Sequence, residues 1–340
     1  MTLKIVQVGL GGFGQDWYKN YLSKSPDFEV VAFVDVDAAM LACVQELGAK
    51  VEHCYSSVEQ ALESVESDAV LVTTTLPYHV PVAIAALQAG RHVLTEKPFA
   101  PSVEEARQVT ELAAEKGLIL MVSQNYRFFP AVRTVQALVK ENRVGPIHTV
   151  NLDFRRYVPQ THPDTHRHYH LRQPLLLDMS IHHFDLMRAV LGQEPVEISC
   201  VTWNPSWSRY KDAPAGAATI KFDGGAVVNY RGSWISSGPK TPWAGEWHME
   251  GQDGEIIWTS RADSGTGDDR VSISEIGKSA RSAPIPVLDN IDRGGSLHAF
   301  AEAILSGQDP ETAGSANIGS LALTFGAIES ATTGLPVKLR

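Results

Sequence analysis

The chain has 340 residues, of which 44% are hydrophobic and 20% are charged, a composition typical of a globular protein with about two domains. Its 29 lysines and arginines against 39 aspartates and glutamates leave a net charge of −10 without long runs of like charge, so nucleic acids and membranes are poor partners. Because there is no secretory leader or long apolar stretch, and the three cysteines have no metal-binding spacing, we expect a cytoplasmic protein that acts on a small molecule.

The first predicted strand runs into a glycine-rich turn. Ile5, Val6 and Val8 form an apolar run that leads into GLGGFG, and a helical pattern follows until Pro26. In dinucleotide-binding folds the first glycine of such a turn makes a tight bend, the second approaches a pyrophosphate and the third lets helix and strand pack closely. We predict cofactor contacts from Gly9, Gly11, Gly12, Phe13 and Gly14.

The second predicted strand, FEVVAFVDV, ends in an acid. Asp35 lies about 20 residues beyond the last glycine, where dinucleotide-binding folds place a carboxylate on the ribose 2′-hydroxyl. A carboxylate there would repel a 2′-phosphate, and no lysine or arginine follows before Lys50. The sequence therefore predicts NAD as the cofactor, with NADP less favoured.

Helical patterns then alternate with the strand-like runs DAVLVTTT, RHVLTE and LILMVS. This alternation predicts a doubly wound parallel sheet whose ligand crevice lies at the carboxyl ends of the strands. Polar side chains gather at those ends. Further cofactor contacts are predicted for Thr73, Thr74, His79, Glu96, Lys97 and Asn125.

Four segments resemble the glucose-fructose oxidoreductase, inositol dehydrogenase and rhizopine catabolism (Gfo/Idh/MocA) family of dehydrogenases. They are GLGGFG, LPYHVPVAIAALQAGRHVLTEKP, LLLDMSIHHFDLMRAVLG and FAEAILSGQDPETAG. The resemblance implies that Lys97 of the EKP signature is an active-site residue near the nicotinamide and that Pro98 is cis. Glu96 either contacts the cofactor ribose or orients Lys97.

Beyond about residue 124 the pattern changes to strand-like runs joined by Gly, Asp and Pro turns. These predict a largely antiparallel sheet. The resemblance implies that this open sheet covers the cofactor crevice and forms the oligomer interface, in a homodimer or homotetramer. We therefore expect an NAD-binding Rossmann domain over 1–123 and an α+β domain for substrate binding and oligomerisation over 124–340.

The segment QPLLLDMSIHHFDLMRAVLG reads as one helix that carries Asp178 and His182 four residues apart, and therefore on one face. His182 matches the family's catalytic histidine, and an imidazole with a pKa near 6.5 suits proton transfer at neutral pH. Asp178 matches the residue that binds the substrate or orients the site. Many relatives carry glycines before this aspartate, whereas this chain has Leu175, Leu176 and Leu177.

The stretch THPDTHRHYHLR contains four histidines, His162, His166, His168 and His170. A metal site is conceivable, but no acid or cysteine is spaced to complete the ligand set, so we expect no metal and a polar loop over the substrate pocket. Substrate contacts are predicted for Lys97, Tyr126, Arg156, His166, Asp178 and His182.

Together these features predict an NAD-dependent dehydrogenase that oxidises a secondary hydroxyl of a sugar, sugar derivative or cyclitol. Three alternatives remain open at this point. The protein could be a dinucleotide-binding sensor or regulator without activity, or an NADPH-dependent reductase of a keto-sugar. It could also be a carbon-sulfur or glycoside-cleaving enzyme that oxidises its substrate transiently.

Overall fold

The computed structural model describes residues 2–157 and 166–339. The chain divides into two compact units, one made of Met1–Asn125 with Asn290–Ile318 and the other of Tyr126–Asp289 with Gly319–Arg340. The segment Asn290–Ile318 thus belongs to the first unit, although the sequence-based division places it in the second domain, 124–340. The functional division into domains 1–123 and 124–340 stays a prediction.

The first unit contains a parallel sheet of six strands in the order β3-β2-β1-β4-β5-β6. The strands are β1 (Leu3–Val8), β2 (Phe28–Val34), β3 (Cys54–Tyr55), β4 (Ala69–Val72), β5 (His92–Thr95) and β6 (Leu120–Val122). This is the strand order of dinucleotide-binding folds, with its crevice where the order reverses beside β1. All four residues of β4 are buried, as expected for a sheet covered on both faces.

The second unit contains a sheet of nine strands in the order β14-β13-β12-β11-β7-β10-β9-β8-β15. The strands are β7 (Ile147–Arg155), β8 (Pro195–Trp203), β9 (Ala215–Phe222), β10 (Val227–Ser233), β11 (Glu246–Gly251), β12 (Gly254–Thr259), β13 (Arg270–Glu275), β14 (Arg281–Ser282) and β15 (Val337–Lys338). Neighbours pair antiparallel except β7 and β10. Buried and more exposed residues alternate along β11, so the sheet packs on one face and is polar on the other.

Helices alternate with the strands in the first unit, as the sequence pattern predicts. The helices of the two units are α1 (Gly12–Asn20), α2 (Ala38–Glu46), α3 (Val58–Ser64), α4 (His79–Gln88), α5 (Val103–Glu115), α6 (Pro130–Lys140), α7 (Ile181–Leu191), α8 (Asp292–Ser306) and α9 (Gly314–Thr333). Within residues 2–157 and 166–339, no helix combines the length and apolar character needed to cross a bilayer. The predicted fold class, a Rossmann unit with a second unit built on a large and mostly antiparallel sheet, is confirmed.

Candidate active site

The glycine turn after β1 has the contacts that a pyrophosphate-binding turn requires. Gly9 has a φ of +94°, and a Cβ there would lie 2.5 Å from the amide nitrogen of Thr74. A Cβ on Gly14 would lie 2.0 Å from the carbonyl oxygen of Gly9, so α1 and the turn pack at a distance that only glycine permits. A Cβ on Gly11 would meet no protein atom within 4 Å. The open face at Gly11 and the helix N-terminus behind it fit a bound dinucleotide.

Asp35 is anchored to this turn. Its Oδ2 accepts the backbone N–H of Leu10 at 2.6 Å, and its Oδ1 accepts the N–H of Asp37 at 2.9 Å. The carboxylate is half-buried, and the next side chain, Val36, is 91% exposed and apolar. The end of β2 therefore presents an anchored carboxylate, and the residue that follows it is apolar and not a cation that could bind a 2′-phosphate.

Two other predicted cofactor residues brace the loops around the turn. The hydroxyl of Thr73 donates to the carbonyl of Gly9 at 2.6 Å. The ring nitrogens of His79 lie 2.8 Å from the carbonyl oxygen of Pro98 and 3.0 Å from that of Thr74. Burial lowers the pKa of His79. These contacts are with the chain itself, and cofactor contacts from Thr73, Thr74 and His79 stay predictions.

The EKP turn follows directly on β5. Glu96 is 5% exposed, and its carboxylate accepts the indole N–H of Trp17 at 2.8 Å and the backbone N–H of Lys97 at 3.1 Å. Burial raises the pKa of Glu96. The Lys97–Pro98 peptide is cis, as the resemblance implies. Both contacts are with the chain itself, and the role of Glu96, ribose contact or orientation of Lys97, stays a prediction.

A polar cluster that sequence reasoning missed closes around the predicted cofactor residue Asn125. Its amide donates to Asp292 Oδ1, and the hydroxyl of Tyr21 donates to Asp292 Oδ2 at 3.0 Å. Arg293 pairs with Asp16 of α1. The partners are more than 160 residues apart in the chain, and the residues around Asp292 form no motif that could have indicated them.

The same arginine lies over the aromatic side chains of the glycine turn and α1. The guanidinium carbon of Arg293 is 4.8 Å from the ring centroid of Phe13 and 5.4 Å from that of Trp17. Phe13 is nevertheless 45% exposed. The ring of Phe13 is therefore held in position by Arg293 and remains partly exposed.

In the second unit, Asp178 lies in a π-helical turn, Leu176–Ser180, which continues into α7 at Ile181. The N–H of Ser180 donates to the carbonyl of Leu175, five residues back, at 2.8 Å. The prediction of one regular helix is wrong here. A π turn contains one residue more than an α-helical turn, and the spacing of apolar residues does not reveal it. Single π turns occur frequently at functional sites. That Asp178 and His182 face one substrate stays a prediction.

The adjacent histidines of α7 occupy different environments. The ring of His182 stacks on that of Tyr126 with a centroid distance of 4.1 Å and an interplanar angle of 7°. His183 is fully buried, with Nε2 2.9 Å from the carbonyl oxygen of Trp243 and Nδ1 3.1 Å from the hydroxyl of Tyr230. Burial lowers the pKa of His183 to about 4. His183 is thus held in the core, whereas His182 stacks on a predicted substrate residue.

Asp178 contacts a residue of the histidine-rich stretch. His168 Nε2 lies 3.5 Å from Asp178 Oδ2, and His168 Nδ1 lies 2.8 Å from the hydroxyl of Tyr210. The edge of the His168 ring packs on Trp234. His162 lies outside the described residues, within which no cluster of three or more His, Cys, Asp or Glu could hold a metal ion.

Two predicted substrate residues contact other side chains of the second unit. Arg156 Nη1 lies 2.9 and 3.0 Å from the carboxylate oxygens of Asp263, and its guanidinium covers the ring of Trp243 at 4.0 Å. The ring of His166 packs 5.5 Å from that of Tyr169. Substrate contacts from Arg156 and His166 stay predictions.

Asp185 of α7 forms a buried ion pair. The guanidinium of Arg127 donates to both of its carboxylate oxygens, at 2.6 and 2.7 Å. The hydroxyl of Ser320 also donates to Asp185. A partner for this acid, 58 positions away in sequence, had not been predicted from the helix pattern.

Comparison with known proteins identifies the family. Residues 3–124 match the model described as the oxidoreductase family with an NAD-binding Rossmann fold, and residues 132–257 match the GFO/IDH/MocA C-terminal domain. The chain belongs to the Gfo/Idh/MocA family of oxidoreductases. Its first unit is accordingly an NAD-binding Rossmann domain.

Individual members of the Gfo/Idh/MocA family are similar over most of the chain. An uncharacterised protein of Sinorhizobium fredii is 30% identical over 100% of this chain and 96% of its own length. The scyllo-inositol 2-dehydrogenase (NAD⁺) of Bacillus subtilis is 27% identical over 67% of this chain and 66% of its own. An oxidoreductase from Agrobacterium radiobacter, solved with NAD⁺, L-tartaric acid and magnesium, shares the fold with a TM-score of 0.86 at 19% identity, over 99% of this chain and 98% of its own.

Leu175, which precedes the π turn, is accommodated by two glycines of the nine-stranded sheet. A Cβ on Gly232 would lie 2.8 Å from Leu175 Cδ1, and a Cβ on Gly216 would lie 3.3 Å from Leu175 Cδ2. Gly216 and Gly232 are paired across β9 and β10. The sheet therefore provides the space that Leu175 occupies, so the π turn is supported by packing of a bulky side chain.

Proposed function

We propose that this protein is an NAD-dependent dehydrogenase that oxidises a secondary hydroxyl group of a sugar, sugar derivative or cyclitol. The observation that best supports this is the EKP turn at the carboxyl end of β5. Glu96 binds both α1, through Trp17, and the backbone of Lys97, so a lysine is presented from an anchored turn at the edge where parallel sheets bind dinucleotides. The name of the B. subtilis relative agrees with a polyhydroxylated substrate and with NAD.

Asp35 and the glycine turn would hold the cofactor. Asp35 would accept the 2′-hydroxyl of the adenosine ribose, since its two backbone contacts leave further lone pairs. Gly11 and the N-terminus of α1 would receive the pyrophosphate, and Asn125 would contact the cofactor from the end of β6. When bound, NAD⁺ supplies the hydride acceptor.

Three side chains would act on the substrate. His182 would take the proton of the reacting hydroxyl as general base, a role that typically contributes about 10² to 10⁴ in rate. Lys97 would stabilise the developing alkoxide through its ammonium group. Asp178 would hold a neighbouring hydroxyl of the substrate, with Tyr126, Arg156 and His166 as further contacts.

His168 would act as a positioning residue for Asp178. Its two nitrogens join the Asp178 carboxylate to the hydroxyl of Tyr210, and burial of Tyr210 raises the pKa of that hydroxyl, which keeps it protonated. A carboxylate fixed in this way would meet the substrate in a defined orientation.

We further propose that the enzyme works in the cytoplasm as a homodimer or homotetramer. The cysteines Cys43, Cys54 and Cys200 are all free thiols, in agreement with a reducing compartment. The polar face of the nine-stranded sheet is the surface on which a second copy would pack.

A screen over neutral sugars, acidic sugars and cyclitols tests the proposal. With purified protein and NAD⁺, we expect at least one compound to give NADH, measured by absorbance, and the activity to be lost in His182→Ala. Tight NAD⁺ binding without NADH formation from any compound would favour the sensor, and activity only with NADPH and a keto-sugar would favour the reductase.

A further inference from the structure

Arg261 places a cation beside the aromatic ring that stacks on His182. It follows β12, and its guanidinium carbon lies 4.5 Å from the ring centroid of Tyr126. Arg261 Nη1 also donates to the hydroxyl of Tyr126 at 2.8 Å. The ring of Tyr126 therefore joins the proposed catalytic base to a guanidinium group.

The Arg261 guanidinium has no acidic partner among the residues that the structure describes. The acid that contacts this residue, Asp269, binds its backbone: Asp269 Oδ1 accepts the N–H of Arg261 at 2.9 Å, and Oδ2 accepts the hydroxyl of Ser260 at 2.8 Å. The charged group is half-buried against Tyr126, Phe129 and Trp243. A half-buried guanidinium without an acidic partner among the described residues is available to bind an anion.

Asp263, a second acid in this region, is paired with two other cations. Asp263 accepts hydrogen bonds from both Arg156 and Lys240, which hold the pKa of its carboxyl down to about 2. Two cations thus share the carboxylate of Asp263, and the ring of Trp243 lies 4.0 Å from the Arg156 guanidinium and 5.7 Å from that of Arg261. Asp263 therefore leaves no negative charge over for Arg261.

The backbone of Arg261 is fixed in an uncommon conformation. Its φ is +59°, a region that residues other than glycine seldom adopt. Its N–H binds Asp269, and its carbonyl accepts the N–H of Trp243 at 2.9 Å. Such conformations persist where the surrounding structure holds them and are concentrated at ligand sites.

We propose that Arg261 binds a carboxylate group of the substrate, so that the substrate is an acidic sugar such as a uronic or aldonic acid. This inference rests on the proposed function, since it places the anion in the site of His182. A planar guanidinium matches a carboxylate through two parallel hydrogen bonds. One guanidinium group suits the single negative charge of a carboxylate better than the two charges of a phosphate ester.

Matched substrate pairs test the inference. The kcat/KM values for galacturonate and glucuronate are compared with those for galactose and glucose, and glucose 6-phosphate serves as the phosphate probe. We expect an acid to be preferred over its neutral partner at least about tenfold, the effect of one charge-assisted hydrogen bond. In Arg261→Gln the ratio of the kcat/KM value for the acid to that for its neutral partner should fall by about tenfold to a hundredfold.

The control is Arg231→Gln. Arg231 of β10 forms an exposed ion pair with Asp153 of β7, so this variant loses the same charge but should keep the preference for the acidic sugar. Calorimetric titration of the NADH-loaded protein with galacturonate and glucuronate measures binding of the acid independently of its oxidation. Binding of an acid that is lost in Arg261→Gln supports the carboxylate site even if no compound is oxidised. The inference would be overturned by equal kcat/KM values for the acidic and neutral members of each pair. A preference for glucose 6-phosphate, or no selective binding of an acid, would also overturn it.

Discussion

The imidazole of His182 lies flat on the phenol ring of Tyr126, with 4.1 Å between the centroids and 7° between the planes. An imidazole exchanges protons in the plane of its ring. The stack therefore fixes the plane in which His182 accepts a proton, while one face of the ring is covered. Tyr126 in turn holds Arg261 through its hydroxyl, so base and cation share one support.

Replacement of His182 by alanine should lower turnover by about 10² to 10⁴ and leave NAD⁺ affinity nearly unchanged. The control, His183→Gln, alters the neighbouring histidine, which is held in the core by Tyr230 and Trp243. Steady-state rates per folded molecule distinguish the two. Equal losses in both variants would contradict the assignment of His182 as the base.

Alanine at Gly11 and at Gly14 should have different effects. Gly11→Ala adds a Cβ that meets no protein atom, so the thermal midpoint should stay near wild type while NAD⁺ binding is lost, because the methyl group occupies the space expected for the pyrophosphate. Gly14→Ala places a Cβ against the backbone of Gly9 and should lower both the thermal midpoint and the affinity for NAD⁺. Unimpaired NAD⁺ binding in Gly11→Ala would show that the cofactor does not approach this face.

Cofactor choice should depend on Asp35. We expect NAD⁺ to bind at least about tenfold more tightly than NADP⁺, a difference of about 1.4 kcal/mol, because the carboxylate repels a 2′-phosphate. Asp35→Ser should narrow this gap and also weaken both complexes, since Leu10 and Asp37 lose their acceptor. Calorimetric titrations with both dinucleotides measure this, and equal affinities in the wild type would remove the role given to Asp35.

Local patterns were sufficient to predict the parallel sheet of the first unit and the segments at the carboxyl ends of its strands. The glycine turn, Asp35 and the EKP turn all lie within a few residues of a strand end, and a parallel sheet brings its carboxyl ends to one edge. Neighbours in sequence therefore indicate neighbours in space.

Contacts between distant segments could not be predicted in this way. Asp292 binds Asn125 from 167 positions away, and Leu175 fits because two glycines pair across β9 and β10. The contacts of Arg261 form only because the loop after β12 folds against Tyr126. Asp292, Arg261 and the two glycines stand in no recognisable motif, because long-range packing selects side chains for shape and charge instead of spacing.

His183 should make the free energy of unfolding depend on pH. Burial lowers its pKa to about 4 from an ordinary 6.5, so the unfolded chain binds more protons between these values. The stabilising contribution of the neutral imidazole is complete above pH 6.5 and is lost as the pH falls toward 4. Between pH 7 and pH 5 the wild type should lose about 2 kcal/mol that His183→Gln does not.

Urea unfolding at the two pH values measures this difference. Because all other titrating groups are common to both proteins, the comparison isolates the single imidazole. Parallel pH dependences would show that His183 keeps an ordinary pKa in the folded protein.

The most direct test of the account concerns Lys97 and uses single-turnover hydride transfer with saturating NAD⁺ and the substrate that the screen identifies. Lys97→Met keeps most of the side-chain stem, so the fold and NAD⁺ affinity should persist while the rate falls by about 10² or more, as on removal of a donor to a developing oxyanion. Lys97→Arg should also be slow, because a larger planar cation does not replace a compact ammonium group. A wild-type rate in Lys97→Met would contradict the account, since the anchored turn after β5 would then present a lysine that takes no part in the reaction.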